Sequence, residues 1–303
     1  MNMQLTTNRL SELSDLQMAI FEFLTDRKSQ NLSKKTIQFY KENLLAFDKF
    51  CGENGIHQVL DITPDLIRSF IMHLQDTGHN SGGVHCYYRS IRAFLYFYWN
   101  EHEPETKNPI LKVKSPKCVN EPIEGIGIEN VKNLVSVCDS NTFYGIRDKT
   151  ILLLLLETGT RAQELLDINI EDIDFLDSSI LIRQGKGRKP RNVFMGSSAR
   201  RQLRKYLKSI HKDKGALFLN KEGERLKFGG LREVIRRLSQ KAGLPEQGIH
   251  NFRRTFALEQ LKRGVDVYTI SRLMGHTSLQ VLARYLKQSK NDLQLSYRSI
   301  IDS

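Results

Sequence analysis

HNFRRTFALEQLKRGVDVYTISRLMGHTSLQVLARYLK, residues 250–287, carries four chemically loaded positions in a succession of short helices and turns. His250 and Arg253 stand three residues apart, about one helical turn, so both side chains can face the same way. Ala257, Leu258 and Leu261 continue an apolar stripe, and Gly264 is well placed to end the helix. A second helix, from about Val267 to Met274, closes at Gly275, with His276 in the turn directly after it. Thr277 or Ser278 can cap a third helix, in which Leu279 and Leu282 bury one side and Tyr285 lies near the far end. A buried core does not need His, Arg, His and Tyr at these places. A phosphodiester does.

His250-x-x-Arg253, then Gly275-His276, then Tyr285 nine residues further on, resembles the C-terminal signature of the tyrosine recombinase/phage integrase family, which includes phage integrases, Xer-type resolvases and transposon recombinases. The resemblance implies an upstream arginine in a T-G-x-R-x-x-E context and a lysine in a β-hairpin between the two. The chain has both, as Thr158-Gly159-Thr160-Arg161-Ala162-Gln163-Glu164 and Gly185-Lys186-Gly187. Each string alone is a weak match; all of them in the family's order and approximate spacing are a strong one. Two positions depart from the pattern. Phe252 stands where the family often has Leu, and Arg254 where it often has His, and neither alters a catalytic position. The resemblance runs from about residue 15 onward, strongly in the second half and by general pattern in the first.

An arginine beside an apolar helix end, as Arg161 is, is costly without an anion. Glu164, one turn later, can hold its guanidinium, either as a simple ion pair or as a brace for a phosphate-binding group. The resemblance implies the latter, with Arg161 and Arg253 clamping the non-bridging oxygens of a scissile phosphate through their planar forks. It implies Lys186 as the general acid that protonates the departing 5′ oxygen, and Arg188 and Lys189 beside it as DNA contacts. His250 is implied as an acid/base helper and His276 as a support for the phosphate and the nucleophile. Tyr285 is the implied nucleophile; a free phenol has a pKa of ~10, and neighbouring arginines favour its ionised form. A 3′-phosphotyrosyl link conserves the energy of the broken bond, so the reading includes no ATP, cofactor or metal. Structural histidines and a surface tyrosine are the alternatives. A two-histidine metal site would need a third ligand, which the local sequence lacks.

At 303 residues the chain is long enough for two domains, and 46 Lys and Arg against 34 Asp and Glu give a net charge of +12, which points to a polyanionic partner. The excess is concentrated in residues 183–263, with 23 Lys and Arg against 6 Asp and Glu. A phosphate-tracking surface accounts for this better than a solvated face once the motifs are counted. Cys51, Cys86, Cys118 and Cys138 are scattered, without a C-x-x-C pair, and read as thiols in a reducing compartment. The N-terminus lacks the basic start and apolar core of a signal peptide, and the run Ile151–Leu156 is too short to span a bilayer. A soluble cytoplasmic protein with no membrane partner is expected.

The predicted fold is mainly α. Residues 1–14 form an N-terminal arm, 15–102 a first domain, 103–121 a polar linker holding Pro104, Pro109 and Pro116, and 122–303 a second domain with a tail at 289–303. In the first domain Leu16, Ile20, Phe23 and Leu24 form one helical set, and Ile37, Tyr40, Leu44, Phe47 and Phe50 a second. Ser33 caps the second helix and puts Lys34 and Lys35 in its first turn, where cations oppose the helix dipole unless a phosphate lies nearby. Thr63 and Pro64 open a third helix. A loop at Gly78–Gly83 precedes an aromatic helix, Val84–Trp99, carrying Arg89 and Arg92. By resemblance this is a four-helix SAM-like core-binding domain that clamps duplex DNA with a catalytic domain, and Lys34, Lys35, Arg89 and Arg92 are candidate backbone contacts; solvated lysines and incidental arginines on a core helix are the alternatives. In the second domain helices are expected near Ile128–Cys138 and Tyr144–Glu157. Short strands at Ile170–Phe175, Ile180–Arg183 and Asn192–Met195 make a small antiparallel sheet, with 185–190 as a turn. The tail, with Leu293, Leu295, Ile300 and Ile301, packs either on an adjacent protomer, as the family does, or on its own domain.

These expectations add up to a site-specific DNA recombinase or integrase working one strand at a time through a Holliday junction. Its implied partners are double-stranded DNA, further copies of itself in a tetramer on two paired sites, and accessory DNA-bending proteins. A monomeric type IB topoisomerase-like relaxer and a non-catalytic DNA-binding regulator on the same fold are the competing readings.

Overall fold

The structure, a computed structural model, describes residues 13–118, 125–183 and 190–275. The chain forms two compact units, Met1–Glu121 and Pro122–Ser303.

In the first unit α1 spans Asp15–Ser29 and starts from a reciprocal cap: the Ser14 hydroxyl accepts from the Gln17 N–H while the Gln17 side chain accepts from the Ser14 N–H. Helix α2, Lys34–Glu53, is capped by Ser33, and α3, Pro64–Asp76, by Thr63 with proline in its first position. Helix α4, Ser81–His102, begins earlier than its glycines suggest, because Asn80 Oδ1 accepts from the Gly83 N–H at 2.8 Å and draws Gly82 and Gly83 into the first turn. The four helices enclose Phe23, Phe47, Phe70 and Phe94, each at most 2% exposed, with edge-on ring pairs such as Phe47–Phe70 at 5.2 Å.

Part of the stretch expected to be linker is fixed to this unit. A 3₁₀ turn at Pro109–Lys112 puts Ile110 and Val113 into the aromatic core, the Tyr88 hydroxyl donates to the Val113 carbonyl at 3.1 Å, and Asn108 Nδ2 donates to the Leu95 carbonyl at 3.1 Å. Two apolar residues three apart are too few to register as a periodic pattern, yet they suffice to seat the segment.

The second unit opens with α5, Ile128–Ser136, and α6, Phe143–Thr158, whose Ile151, Leu152, Leu154 and Leu155 are fully buried. A helix apolar on all sides must be wrapped, and α6 is. After the short α7, Ala162–Asp167, come β1 (Ile173–Asp174), β2 (Ser179–Ile182) and β3 (Arg191–Phe194), an antiparallel meander with Ile180 opposite Val193 and Ile182 opposite Arg191. The first expected strand is shortened because Ile170–Asp172 forms a 3₁₀ turn, with Asp172 accepting from the Asn169 N–H. The basic stretch then supplies α8, Ser197–Ile210, and α9, Phe228–Lys241, followed by α10, Ile249–Lys262, and α11, Val267–Met274. Helices α8 and α10 pack on α6. No side chain caps α8 from its own sequence; the Glu157 carboxylate, at the end of α6, accepts from the Ala199 N–H instead. No helix among the described residues is long and apolar enough to cross a membrane. The fold is mainly helical with a small antiparallel sheet.

Candidate active site

Three backbone features bring the site together. Helix α6 ends at Gly159, whose φ of +60° lies in the left-handed region, and a Cβ there would fall 2.3 Å from the Phe256 ring of α10. The chain therefore turns sharply while lying against α10, and Arg161 emerges two residues later as the residue preceding α7. Helix α11 ends the same way at Gly275, with φ +63°. Its last carbonyls carry the partial negative charge of a helix C-terminus and need donors.

The arginines supply those donors. Arg253 Nη2 donates to the Met274 carbonyl at 2.7 Å and Arg161 Nη1 to the same oxygen at 3.3 Å, while Arg161 Nη2 reaches the Gly275 carbonyl at 3.3 Å. Two guanidiniums 92 positions apart in the chain thus flank a single atom. Arg253 Nη1 also donates to the Gly159 carbonyl at 2.7 Å. Carbonyl acceptors orient a guanidinium without cancelling its charge. Arg253 is buried, whereas the Arg161 side chain is 27% exposed.

Glu164 braces Arg161 twice. Its Oε2 accepts from the Arg161 backbone N–H at 3.0 Å and its Oε1 from Arg161 Nη1 at 2.8 Å. Burial would raise the Glu164 carboxyl, but the hydrogen bonds and charge of Arg191, with hydrogen bonds from the Arg161 backbone and side chain, outweigh it and bring the pKa down to about 2. His250 lies on α10 one turn before Arg253. Partial desolvation, followed by the positive charges of Arg253, Arg254 and Arg161, pushes its pKa below the ordinary histidine value although the residue stays solvent-exposed. A neutral imidazole beside two guanidiniums can accept a proton.

Of the residues expected at the site, Arg161, Glu164, His250 and Arg253 are brought together. Lys186, Arg188, Lys189, His276 and Tyr285 lie outside the described residues. Of the expected DNA contacts in the first unit, Lys34 and Lys35 are exposed in the first turn of α2, and Arg89 and Arg92 are exposed on α4, with Arg92 over the Tyr96 ring at 5.3 Å. Arg89, Arg92, Arg27 and Tyr96 line one concavity there. Among the described residues no group of His, Cys, Asp and Glu is placed to hold a metal ion.

One residue of the site was not legible from the motifs. Arg191, the first residue of β3, grips Glu164 with both ends of its fork, Nη1 to Oε1 at 3.1 Å and Nη2 to Oε2 at 2.7 Å. Its Nε donates to the Leu273 carbonyl at 3.1 Å, and a Cβ on Gly275 would meet its guanidinium at 2.8 Å. In sequence it is one basic residue among many, and only its place at the mouth of an apolar strand sets it apart.

Comparison with known proteins identifies the family and the fold. Residues 126–292 match the phage integrase family, and residues 21–102 match the phage integrase N-terminal SAM-like domain. The chain is 30% identical over 278 residues to the tyrosine recombinase XerC of Oceanobacillus iheyensis, covering 88% of this chain and 90% of that protein. In fold it resembles the Tn1549 transposon integrase in complex with transposon right end DNA, at a TM-score of 0.77 and 15% identity over 94% of this chain and 99% of that one. It also resembles the XerH site-specific recombinase bound to a palindromic difH substrate, at a TM-score of 0.74 and 20% identity over 97% of this chain and 92% of that one. A catalytic-half match covering more than half the chain, and a relative aligned over nearly its whole length, lead to one conclusion: the chain belongs to the phage integrase family of tyrosine recombinases.

Proposed function

We propose that this chain, a site-specific DNA recombinase by family, cleaves and rejoins one strand at a time with Tyr285 as its nucleophile. The observation that carries the reading is the meeting of Arg161 and Arg253 on the Met274 carbonyl, two residues before His276. A phosphodiester entering there has its non-bridging oxygens held by two guanidiniums, which lowers the cost of the extra charge at phosphorus in the transition state. The phenolic oxygen of Tyr285 forms a bond to phosphorus as the bond to the 5′ oxygen breaks. His250 takes the phenolic proton, Lys186 gives a proton to the departing 5′ oxygen, and His276 supports the phosphate. The 3′-phosphotyrosyl link keeps the bond energy, and attack by a new 5′ hydroxyl reverses the step without ATP.

Double-stranded DNA is the substrate, with Lys34, Lys35, Arg89 and Arg92 contacting its backbone from the first unit, and Arg188 and Lys189 from the hairpin turn. Strand exchange between two paired sites needs four active centres, so the working species is a homotetramer passing through a Holliday junction. The setting is the cytoplasm, where accessory DNA-bending proteins can shape the paired sites.

A nicked duplex that loses its 5′ fragment on cleavage traps the covalent intermediate. Wild-type protein accumulates an adduct on a duplex carrying its site, mapped by footprinting, and Tyr285→Phe gives none. An adduct that persists in Tyr285→Phe removes that residue from the mechanism. Relaxation of supercoiled DNA without recombinant junctions from a two-site substrate removes the recombinase reading.

A further inference from the structure

The carboxylate that braces Arg161 creates an electrostatic problem. Glu164 must stand within a hydrogen bond of the guanidinium to orient it, yet a full negative charge in that position opposes an incoming phosphate. At an effective dielectric constant of about 20, one unneutralised carboxylate a guanidinium's width from the phosphate weakens its binding on the order of ten- to a hundredfold. A brace made only of Arg161 and Glu164 would therefore hold the catalytic arginine and at the same time spend its charge.

Arg191 occupies the position that resolves this. Both Glu164 oxygens accept one hydrogen bond from Arg161 and one from Arg191, so the carboxylate lies between two guanidiniums. The Glu164 side chain is 4% exposed and that of Arg191 14%, against 27% for Arg161, so the charge-cancelling pair is the inner one and the guanidinium on the open side is Arg161. The third Arg191 donor, Nε, holds the Leu273 carbonyl, next to the Met274 carbonyl shared by Arg161 and Arg253. Arg191 also begins β3, five residues beyond Lys186. One side chain therefore links a hairpin strand, the brace of Arg161 and the end of α11. At the other root of that hairpin Arg183 pairs with the buried Asp172, so both strands are pinned by ion pairs.

We propose that Arg191 is a positioning residue: it neutralises Glu164, so that Arg161 is oriented by the carboxylate while keeping its positive charge for the scissile phosphate, and it fixes the end of α11 against β3. A lysine cannot replace it, since an ammonium is a point charge and cannot meet two carboxylate oxygens and a carbonyl from one rigid plane.

The inference rests on the phosphate-binding role proposed for Arg161, and full-length protein with the nicked duplex tests the two separately. Arg191→Gln is expected to slow adduct formation at saturating duplex about a hundredfold, a loss separate from any weaker hold on the duplex, because saturation removes binding from the rate. Removing the charge it answers to should then help: Arg191→Gln combined with Glu164→Gln is expected to recover at least about tenfold over Arg191→Gln alone. A role in packing alone predicts the opposite, a double variant no faster than the single one. A double variant as slow as Arg191→Gln, or an Arg191→Gln protein with wild-type rate, overturns the inference. If Arg191→Gln does not fold, Arg191→Lys takes its place: about tenfold slower cleavage with unchanged duplex affinity is expected, and a wild-type rate overturns the proposal. Arg161→Ala is the control. If it cleaves normally, the proposed phosphate site is wrong; if it is inactive while the Arg191 variants cleave normally, only the present inference fails.

Discussion

Arg253 Nη1 donates to the Gly159 carbonyl at 2.7 Å, so the helix that carries His250 is tied to the turn that launches Arg161. With Nη2 on the Met274 carbonyl, one buried fork joins the ends of α6 and α11 to the middle of α10. Both contacts need the geometry of a guanidinium as well as its charge. Arg253→Lys should lower adduct formation by two orders of magnitude or more, roughly the effect of losing a preorganised donor in a transition-state pocket, and cost about 1–3 kcal/mol of stability. Single-turnover cleavage and urea denaturation read the two effects separately. Near-normal cleavage in Arg253→Lys would show that charge alone suffices there.

Gly159 is the backbone counterpart of that contact. Its φ of +60° costs a residue with a side chain about 1 kcal/mol, and the Phe256 ring 2.3 Å from the would-be Cβ adds an overpacking cost of roughly 1–3 kcal/mol. Gly159→Ala should therefore destabilise the second unit by about 2–4 kcal/mol and displace Arg161 relative to Arg253. A urea midpoint equal to wild type would mean that α10 yields to the methyl group at no cost.

The Glu164 carboxyl gives the protein an acid-sensitive joint. With a pKa of about 2 in the folded chain against the ordinary 4.5, its contribution is complete above about pH 4.5 and is lost as pH falls toward 2. For this buried group the shift corresponds to about 3 kcal/mol, of which about two-thirds is gone by pH 3. Glu164→Gln should be less stable than wild type at pH 7 and show a flatter stability profile between pH 4.5 and 3. Parallel profiles for the two proteins would place the acid sensitivity elsewhere.

His250 responds in the opposite half of the scale. Its folded pKa is depressed by desolvation and by Arg253, Arg254 and Arg161, so the unfolded chain binds the proton more readily. Its stabilising contribution is full above the ordinary value near 6.5 and declines as pH falls through it. An NMR titration of the free protein should place the His250 midpoint below 6.5, and bound duplex should raise it, since the phosphate offsets the neighbouring guanidiniums. Adduct formation should rise with pH through the midpoint measured on the complex, because only the neutral ring accepts the tyrosine proton. A cleavage rate indifferent to that titration would leave His250 a hydrogen-bond donor only.

The sequence makes some parts of this site far easier to read than others. Arg161, His250 and Arg253 are legible because their chemistry is out of place: an arginine after an apolar helix, an arginine and an imidazole one turn apart. Ser33, Thr63 and Gly159 are legible because caps and left-handed turns select few residue types. Arg191 is not, since its meaning lies in Glu164, 27 positions earlier, and Leu273, 82 positions later, and only its place at the start of a short strand distinguishes it locally from the other basic residues of that stretch. The seating of Ile110 and Val113 is hidden for a related reason: their partners are Tyr88 and the aromatic core, and three prolines make the segment look like a tether. The cap of α8 is also tertiary, supplied by Glu157 from 42 positions upstream. Local chemistry is written locally, and contacts across the fold are not.

Arg89 and Arg92 lie on the exposed side of α4, whose opposite side buries Ile91, Phe94 and Leu95. Removing either charge leaves that core untouched, which makes the two positions a clean test of DNA contact. If each arginine meets one phosphate, Arg89→Ala and Arg92→Ala should each weaken duplex binding to a similar degree on cognate and unrelated sequence. Each should also reduce the slope of log affinity against log salt by about 0.9. Fluorescence anisotropy at several salt concentrations measures both quantities. A variant that loses affinity only for the cognate duplex, with its salt slope unchanged, would instead be reading a base edge, where a good bidentate contact discriminates by about 1–3 kcal/mol. Arg92 also stacks on Tyr96, so Tyr96→Ala should free the guanidinium and weaken binding without changing the charge count. If Arg92→Ala lowers the slope and Tyr96→Ala leaves it intact, the ring sets the direction of the guanidinium and the charge itself meets the phosphate.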